Sequence, residues 1–459
     1  MEDNRSFRNS LIKIAVPVTL QSLLQSSFSV VDQVMTGQLG STNIAGIGLG
    51  GKFSSIFNVV ISAVAAVAGI MIAQYIGKED DKEVGKSFYV NLSLAAFIAV
   101  LFTFVSALFP SQIMSMYTKD EETKAVAAMY LRIISISYIP IIVDMLLSTL
   151  LRCKEAAVLP LVSSILSACM NTGFNYLLIF GKFGFPEMGA EGAAIATVAS
   201  RVFGSLLVLL LFLGKSKKKA WRLPFSLRMD RQGKMQYAVI LLPILLCEFL
   251  WSLGENVYAS IYGHIGTEDF AAMSLTIPIQ VLMMGVLSGL SQAAAIIVGK
   301  ALGKGEYERA YEEGKKLMYY GLFGAVILSV LIVLSGRYYV RIYQVEEIVK
   351  KTAYQLLAAF ALIAPVKVEN MILGGGIIRS GGKTKYVMVI DMIGTWIFGV
   401  PLGLFAAFVC KFPIPYVYFI LSLEEGVRLA ISLVVFKKKK WMESLQASGK
   451  NTDEPLSCP

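Results

Sequence analysis

The chain carries one plan twice. Residues 17–49 overlay residues 243–275 without a gap at a shift of 226, so that Pro17 meets Pro243, Gly37 meets Gly263, Gly40 meets Gly266 and Ala45 meets Ala271. The same shift takes Gly77 and Lys78 onto Gly303 and Lys304, and one residue more takes Arg152 onto Arg379 and Arg201 onto Arg428. Two copies of one plan fold into two similar bodies, and composition says in which solvent. Hydrophobic residues make up 56% of the chain and charged residues 16%, with a mean hydropathy of +0.64. Soluble domains carry about 25% charged residues, so this chain belongs in a bilayer.

Apolar stretches long enough to cross roughly 30 Å of hydrocarbon, about 20 residues each, recur twelve times, at about 14–36, 45–74, 88–112, 126–151, 157–181, 190–214, 238–262, 271–300, 317–339, 353–378, 385–410 and 414–436. At such lengths only helices satisfy their own backbone groups in lipid, because barrel strands would read as alternating segments of about ten residues. The expected fold is all-α and polytopic, with twelve transmembrane helices in two six-helix lobes. Six spans per copy is an even number, so both copies enter from the same side and the repeat is parallel, not inverted. The expected division is an N-terminal lobe over 1–214, a basic cytoplasmic linker over 215–237, a C-terminal lobe over 238–440 and a polar cytoplasmic tail over 441–459, disordered over its last stretch QASGKNTDEPLSCP. No cleavable signal peptide is expected at the polar start, MEDNRSFRNS.

The net charge of +10 raises nucleic acid as a partner, but its placement argues for topology instead. Lysine and arginine gather at the N-terminus (Arg5, Arg8, Lys13), in every second loop and in the run Lys437–Lys440, while turns such as 37–43 and 262–270 hold few or none. By the positive-inside rule both termini face the cytoplasm, and the expected location is the plasma or inner membrane. The linker carries eight basic residues against the single acid Asp230, which suits a segment lying near anionic headgroups. The five cysteines, Cys153, Cys169, Cys247, Cys410 and Cys458, show no metal spacing and read as small hydrophobes.

Ionisable side chains inside hydrocarbon are costly, so each is a functional suspect. Span 1 holds Gln21, Gln25 and Asp32, whose steps of four and seven share one helical face. Asp32 also lies far enough along the helix to be a solvated interfacial group. Span 5 answers with Ser164, Ser167, Asn171 and Asn175, a polar stripe that either hydrogen-bonds a substrate, water or Asp32, or is glue between helices. Span 7 carries Glu248 and Glu255, seven apart, with Glu248 read as an unpaired carboxyl near the midplane that can carry a proton or bind sodium. Span 10 adds Lys367, Glu369 and Asn370, and span 11 adds Asp391; Lys367 would neutralise Glu369 or a span 7 glutamate as a buried pair. Arg201 and Arg428, with Glu424 and Glu425 one turn before the latter, read as repeated structural anchors, and His264 as a solvated interfacial residue. Gly374–Gly376 and the following Arg379-Ser380-Gly381-Gly382 lack the spacing of a phosphate loop, and no nucleotide-binding domain is present to drive an ATP pump.

Taken as a set, three motifs resemble the multidrug and toxic compound extrusion (MATE) family. They are Val31-Asp32-Gln33-Val34-Met35-Thr36-Gly37-Gln38-Leu39-Gly40 with Ala45, Met170-Asn171, Asn175 and Phe180-Gly181 leading to Met188-Gly189-Ala190-Glu191-Gly192-Ala193-Ala194, and Ile378-Arg379-Ser380-Gly381-Gly382-Lys383-Thr384. The resemblance implies export of organic cations and other amphipathic toxicants in exchange for entering H⁺ or Na⁺, by alternating access of two lobes. It implies no cofactor, no metal beyond transported Na⁺, no nucleic acid, a lipid bilayer as surroundings and a monomer. It places Asp32 at a coupling-ion site with Asn171, while Asn175 stands where one branch of the family has a second aspartate. Another branch couples through a seventh-helix glutamate, matched by Glu248 or Glu255, and a tenth-helix acid, approximated by Glu369. Lys367 beside it would compete with a bound cation.

Three rival readings stand beside it. A flippase of lipid-linked oligosaccharides shares the bundled lobes but calls for a strongly cationic cleft. A multispan membrane enzyme needs converging catalytic groups that one histidine and scattered cysteines do not supply, and a channel needs a filter-like loop.

Overall fold

The computed structural model describes residues 2–216, 221, 223–343 and 345–445. Its first lobe consists of α1 (Glu2–Thr36), α2 (Ser41–Gly77), α3 (Asp81–Leu108), α4 (Glu121–Cys153), α5 (Val158–Phe180) and α6 (Gly189–Ser216). The second lobe follows with α7 (Arg231–Ile265), α8 (Thr267–Lys304), α9 (Tyr307–Arg341), α10 (Glu347–Ile378), α11 (Thr384–Val409) and α12, the last in two segments, Ile414–Ser422 and Glu424–Lys437. The first eleven are each long and apolar enough to cross a membrane. The twelfth is divided at Leu423, immediately before the acidic pair Glu424-Glu425.

Helices outrun the hydrophobic spans at their watery ends. The helix α1 begins at Glu2, ahead of the apolar stretch that starts near residue 14, and α7 begins at Arg231, taking the last seven residues of the expected linker. Hydropathy reports the solvent around a helix and not its limits, which are set by caps. Asp80 accepts from the amides of Lys82 and Glu83 to start α3, Asp120 from that of Thr123 to start α4, and Asp230 from that of Gly233 to start α7. Prolines 17, 243, 278 and 365 lie inside helices, tolerated because neighbouring helices shield the broken ladder. Both α10 and α11 contain wide π turns, at Met371–Ile378, Ile393–Gly399 and Phe405–Val409.

The lobes meet along α1 and α2 against α7 and α8. Contact is closest at the end of the bundle where α1 starts, α12 ends and most basic residues lie, here termed the basic end. A Cβ on Gly77 would collide with the carbonyl of Lys300, and one on its repeat partner Gly303 with the carbonyl of Gln74. Higher up, a Cβ on Gly289 of α8 would strike Ala15 and Thr19 of α1. Hydrogen bonds follow the same seam: Thr19 Oγ1 donates to the Val286 carbonyl at 2.8 Å, and the hydroxyls of Ser22 and Ser288 lie 3.0 Å apart. Further from the basic end, Gln25 of α1 and Glu255 of α7 are exposed.

The expectation for 441–459 needs correcting at its start. Trp441 is 0% and Leu445 6% exposed, packed beneath the second lobe, where a wholly polar tail was expected. Residues 217–220, 222 and 446–459 of the expected linker and tail lie outside the described residues.

Candidate functional site

The first lobe builds its site between α1 and α5. The Asp32 carboxylate accepts a hydrogen bond from Asn175 Nδ2 at 2.5 Å, and the same amide nitrogen lies 3.4 Å from Asn171 Oδ1. Asn175 is 0% exposed, and its own Oδ1 has no hydrogen-bond partner. No salt bridge to Asp32 occurs among the described residues, although Arg201 is within electrostatic reach. An acid of α1 is thus met by an amide of α5, as the paired stripes suggest. With amides at both Asn171 and Asn175, the group holds a single formal charge.

Nearer the basic end the stripes meet again. Gln21 Nε2 donates to Ser164 Oγ at 2.6 Å, while Gln21 Oε1 accepts from Arg152 at 3.0 Å. Arg152 also donates to Gln292 Oε1 of α8 at 2.7 Å, which joins the lobes in one polar layer. Ser167 is a correction, for it turns away from α1. Its hydroxyl donates to the Ser200 carbonyl at 2.7 Å, facing Gly204 of α6, so it is glue between helices.

The second lobe holds a denser cluster, and sequence reasoning placed several of its members wrongly. Glu248, read as unpaired, is bridged to Arg379 at 3.2 Å, and Arg379 also reaches the Cys247 sulfur. Lys367, expected to neutralise Glu369 or a span 7 acid, instead lies 3.8 Å from Glu425 of α12 and over the Tyr418 ring. Glu369 turns to the other side of α10, buried against Gly321 of α9, with Oε1 unpartnered. Two residues apart on a helix are about 200° apart in direction, which separates Lys367 from Glu369. Asp391 accepts from the Cys247 thiol at 2.8 Å and lies 3.7 Å from Arg428.

Arg428 is the hub. It is 8% exposed and lies 3.6 Å from Glu424, 4.0 Å from Glu425 and beside the Thr395 hydroxyl. Tyr258 donates to Glu424 at 2.8 Å, and Asn370 Nδ2 donates to both the carboxylate and the carbonyl of Glu425 at 2.8 Å. Gly394 and Gly399 sit beneath these side chains, where any Cβ would collide with Arg428 or with the Tyr258–Glu424 pair. Arg428 and its repeat partner Arg201 are therefore not equivalent anchors, since Arg201 is exposed. Glu424 and Glu425 did have a sequence signal, two acids and an arginine on one turn. Tyr258 had another: the repeat places it opposite Asp32, so one position carries the central polar group of each lobe.

At the basic end Lys300 donates to Glu155 at 2.7 Å, joining α8 to the α4–α5 turn. Burial alone would raise the Glu155 carboxyl, but the Lys300 ammonium and its hydrogen bond hold it below the ordinary range. A lowered folded pKa contributes stability above the unfolded value, near 4.3, and loses it as pH falls through the folded value. Glu155→Gln should cost on the order of 1 kcal/mol at pH 7. Thermal midpoints of the two proteins should converge as the buffer is taken below about pH 4; an undiminished gap there would remove this pair as the cause.

Comparison with known proteins follows the internal repeat. The MatE family profile matches residues 17–177 and again 243–405, with the two starts 226 residues apart. A Thermotoga maritima protein described as probable multidrug resistance protein NorM is 26% identical over 408 residues, covering 88% of this chain and 86% of that one. The Bacillus subtilis uncharacterized transporter YisQ is 21% identical over 435 residues, 95% of each chain. A solved structure described as the outward-facing conformation of a multidrug resistance MATE family transporter of the MOP superfamily superposes with a TM-score of 0.81. It is 19% identical and covers 94% of this chain and 96% of its own.

Proposed function

Because the chain belongs to the MatE family, we propose that it is a secondary antiporter that exports lipophilic organic cations and related amphipathic toxicants in exchange for H⁺ or Na⁺. The observation that carries the reading is Asp32, an acid on a membrane-spanning helix held by the Asn175 amide and with no salt bridge among the described residues. An acid without a tethered counter-charge can take a proton or a cation and release it when its surroundings change.

Alternating access supplies that change. The lobes close on each other at the basic end, which the positive-inside rule turns to the cytoplasm, so this arrangement is outward-facing. An ion that binds better with one face open and a substrate that binds better with the other are exchanged without covalent chemistry. Glu255, exposed on α7, and the Lys367–Glu425 pair lie in the second lobe as further contacts for ion or substrate. Asp391, Glu424 and Glu425 outnumber Arg428 and Lys367 there, which favours a cationic cargo over the polyanionic headgroup of a flippase substrate.

The test is transport by purified protein in proteoliposomes. A fluorescent lipophilic cation should move uphill under a pH gradient alone or a Na⁺ gradient alone, and the gradient that drives it names the ion. Movement under neither gradient, with a lipid-linked sugar raising thermal stability instead, would reverse the order of the two readings.

A further inference from the structure

We propose that Trp441–Leu445 is a latch that crosses from the second lobe to the first and holds the basic end closed. The proposal rests on the alternating-access reading above and adds a restraint beyond the glycine contacts of the seam.

The segment is first anchored to its own lobe. Beyond α12 the backbone turns at Lys439, whose φ of 55° is unusual for a side chain bearing a Cβ. Trp441 is then driven inward, stacked on Phe436 at 5.6 Å with its indole donating to the Phe436 carbonyl at 3.2 Å. Its carbonyl presses on Gly381 so closely that any Cβ there would collide, and Leu445 rests on Gly382.

From this base the segment reaches the end of α2. Gln74, 0% exposed, is filled on both sides by the second lobe. Its Oε1 accepts from the Leu445 amide at 2.7 Å, and its Nε2 donates to the Ser380 carbonyl at 2.6 Å and the Glu443 carbonyl at 3.2 Å. The neighbouring Lys78 ammonium donates to the Leu445 carbonyl. In the second copy the position of Gln74 is taken by Lys300, which reaches back to Glu155 at 2.7 Å. The closure is thus built twice with different chemistry, and Trp441–Leu445 straps the Gln74 side. Parting the lobes here strips Gln74 of buried backbone partners, so latch strength sets how readily the basic end opens. Losing two or three such hydrogen bonds moves a two-state equilibrium on the order of tenfold.

The experiment measures distances between spin labels at Lys82→Cys and Lys304→Cys, both exposed positions on opposite lobes, with Cys169, Cys410 and Cys458 replaced by serine. Gln74→Leu, and separately a chain ended after Met442, should each raise the ratio of long to short distances roughly tenfold. A chain ended after Leu445 should keep the native distribution. Unchanged distances in Gln74→Leu, confirmed as folded by its thermal transition, overturn the latch even where the shortened chain fails to fold. An equal shift in the chain ended after Leu445 also overturns it by placing the restraint elsewhere. If the native protein alternates between two distances and both variants match it, only the latch fails. If nothing populates a second distance at any pH or Na⁺ concentration, alternating access fails with it.

Discussion

Replacing Asp32 with asparagine is expected to abolish gradient-driven export while leaving the protein folded. The substitution is nearly isosteric and removes only the charge. Asn175 Nδ2 donates to Asp32 at 2.5 Å in the native protein, and the new amide oxygen can still accept that bond. Because no salt bridge to Asp32 occurs among the described residues, no partner charge is orphaned and the thermal midpoint should hardly move. What disappears is a group able to bind H⁺ or Na⁺ in one state and release it in the other. An ion with no differential affinity shifts nothing. Uphill transport in proteoliposomes should therefore fall by roughly a hundredfold or more, equivalent to about 2.7 kcal/mol of lost coupling, while downhill exchange of substrate across the membrane persists. Undiminished uphill transport would remove Asp32 from the mechanism and shift attention to the second lobe.

The contact of Asp32 with Asn175 was open in the sequence as one reading of the α5 stripe, beside substrate, water and helix glue, because each residue lies on a single polar stripe. Ser167 misled because its step of three from Ser164 rotates it by about 60° around the helix, enough to face Gly204 of α6 instead of α1. In the second lobe, proximity in sequence was mistaken for proximity in space. Lys367 and Glu369 are two residues apart, yet they face Glu425 and Gly321 respectively. Glu248 could be assigned to a face of α7, but its partner Arg379 lies beyond the end of α10, and only the packing of the two helices brings that long side chain within reach. The spans followed from hydropathy, which a bilayer makes reliable, and the repeat from the gapless overlay of residues 17–49 on 243–275. The buried start of the tail did not, because Trp441 and Leu445 are too few to shift an average and were outweighed by the polar residues after them.

Arg428→Met should cost about 3–5 kcal/mol of stability, the range for removing one partner of a buried ionic cluster. The guanidinium lies within 4.0 Å of Asp391, Glu424 and Glu425. Without it, Lys367 remains bridged to Glu425 and reaches Glu424 only at longer electrostatic range, while Glu424, with a side chain 5% exposed, keeps the Tyr258 hydroxyl but no salt-bridge partner among the described residues. The cost should thus come from the stranded carboxylate more than from lost packing, since methionine fills much of the same volume. Glu424→Gln in the Arg428→Met background discriminates between these causes, because the stranded charge is removed while Tyr258 keeps an acceptor. Unfolding in detergent should show the double variant recovering at least half of the loss, with a coupling well above 1 kcal/mol in the double-mutant cycle. A cost that is simply additive would mean that shape, not charge, holds α11 and α12 together. The contrast with Asp32 is physical: the repeat places Tyr258 at the equivalent position, and Arg428 and Lys367 hold Asp391, Glu424 and Glu425 within the second lobe. In the first lobe Asp32 has no salt bridge among the described residues, only the Asn175 amide, and an acid held in that way is free to trade its proton or ion for work.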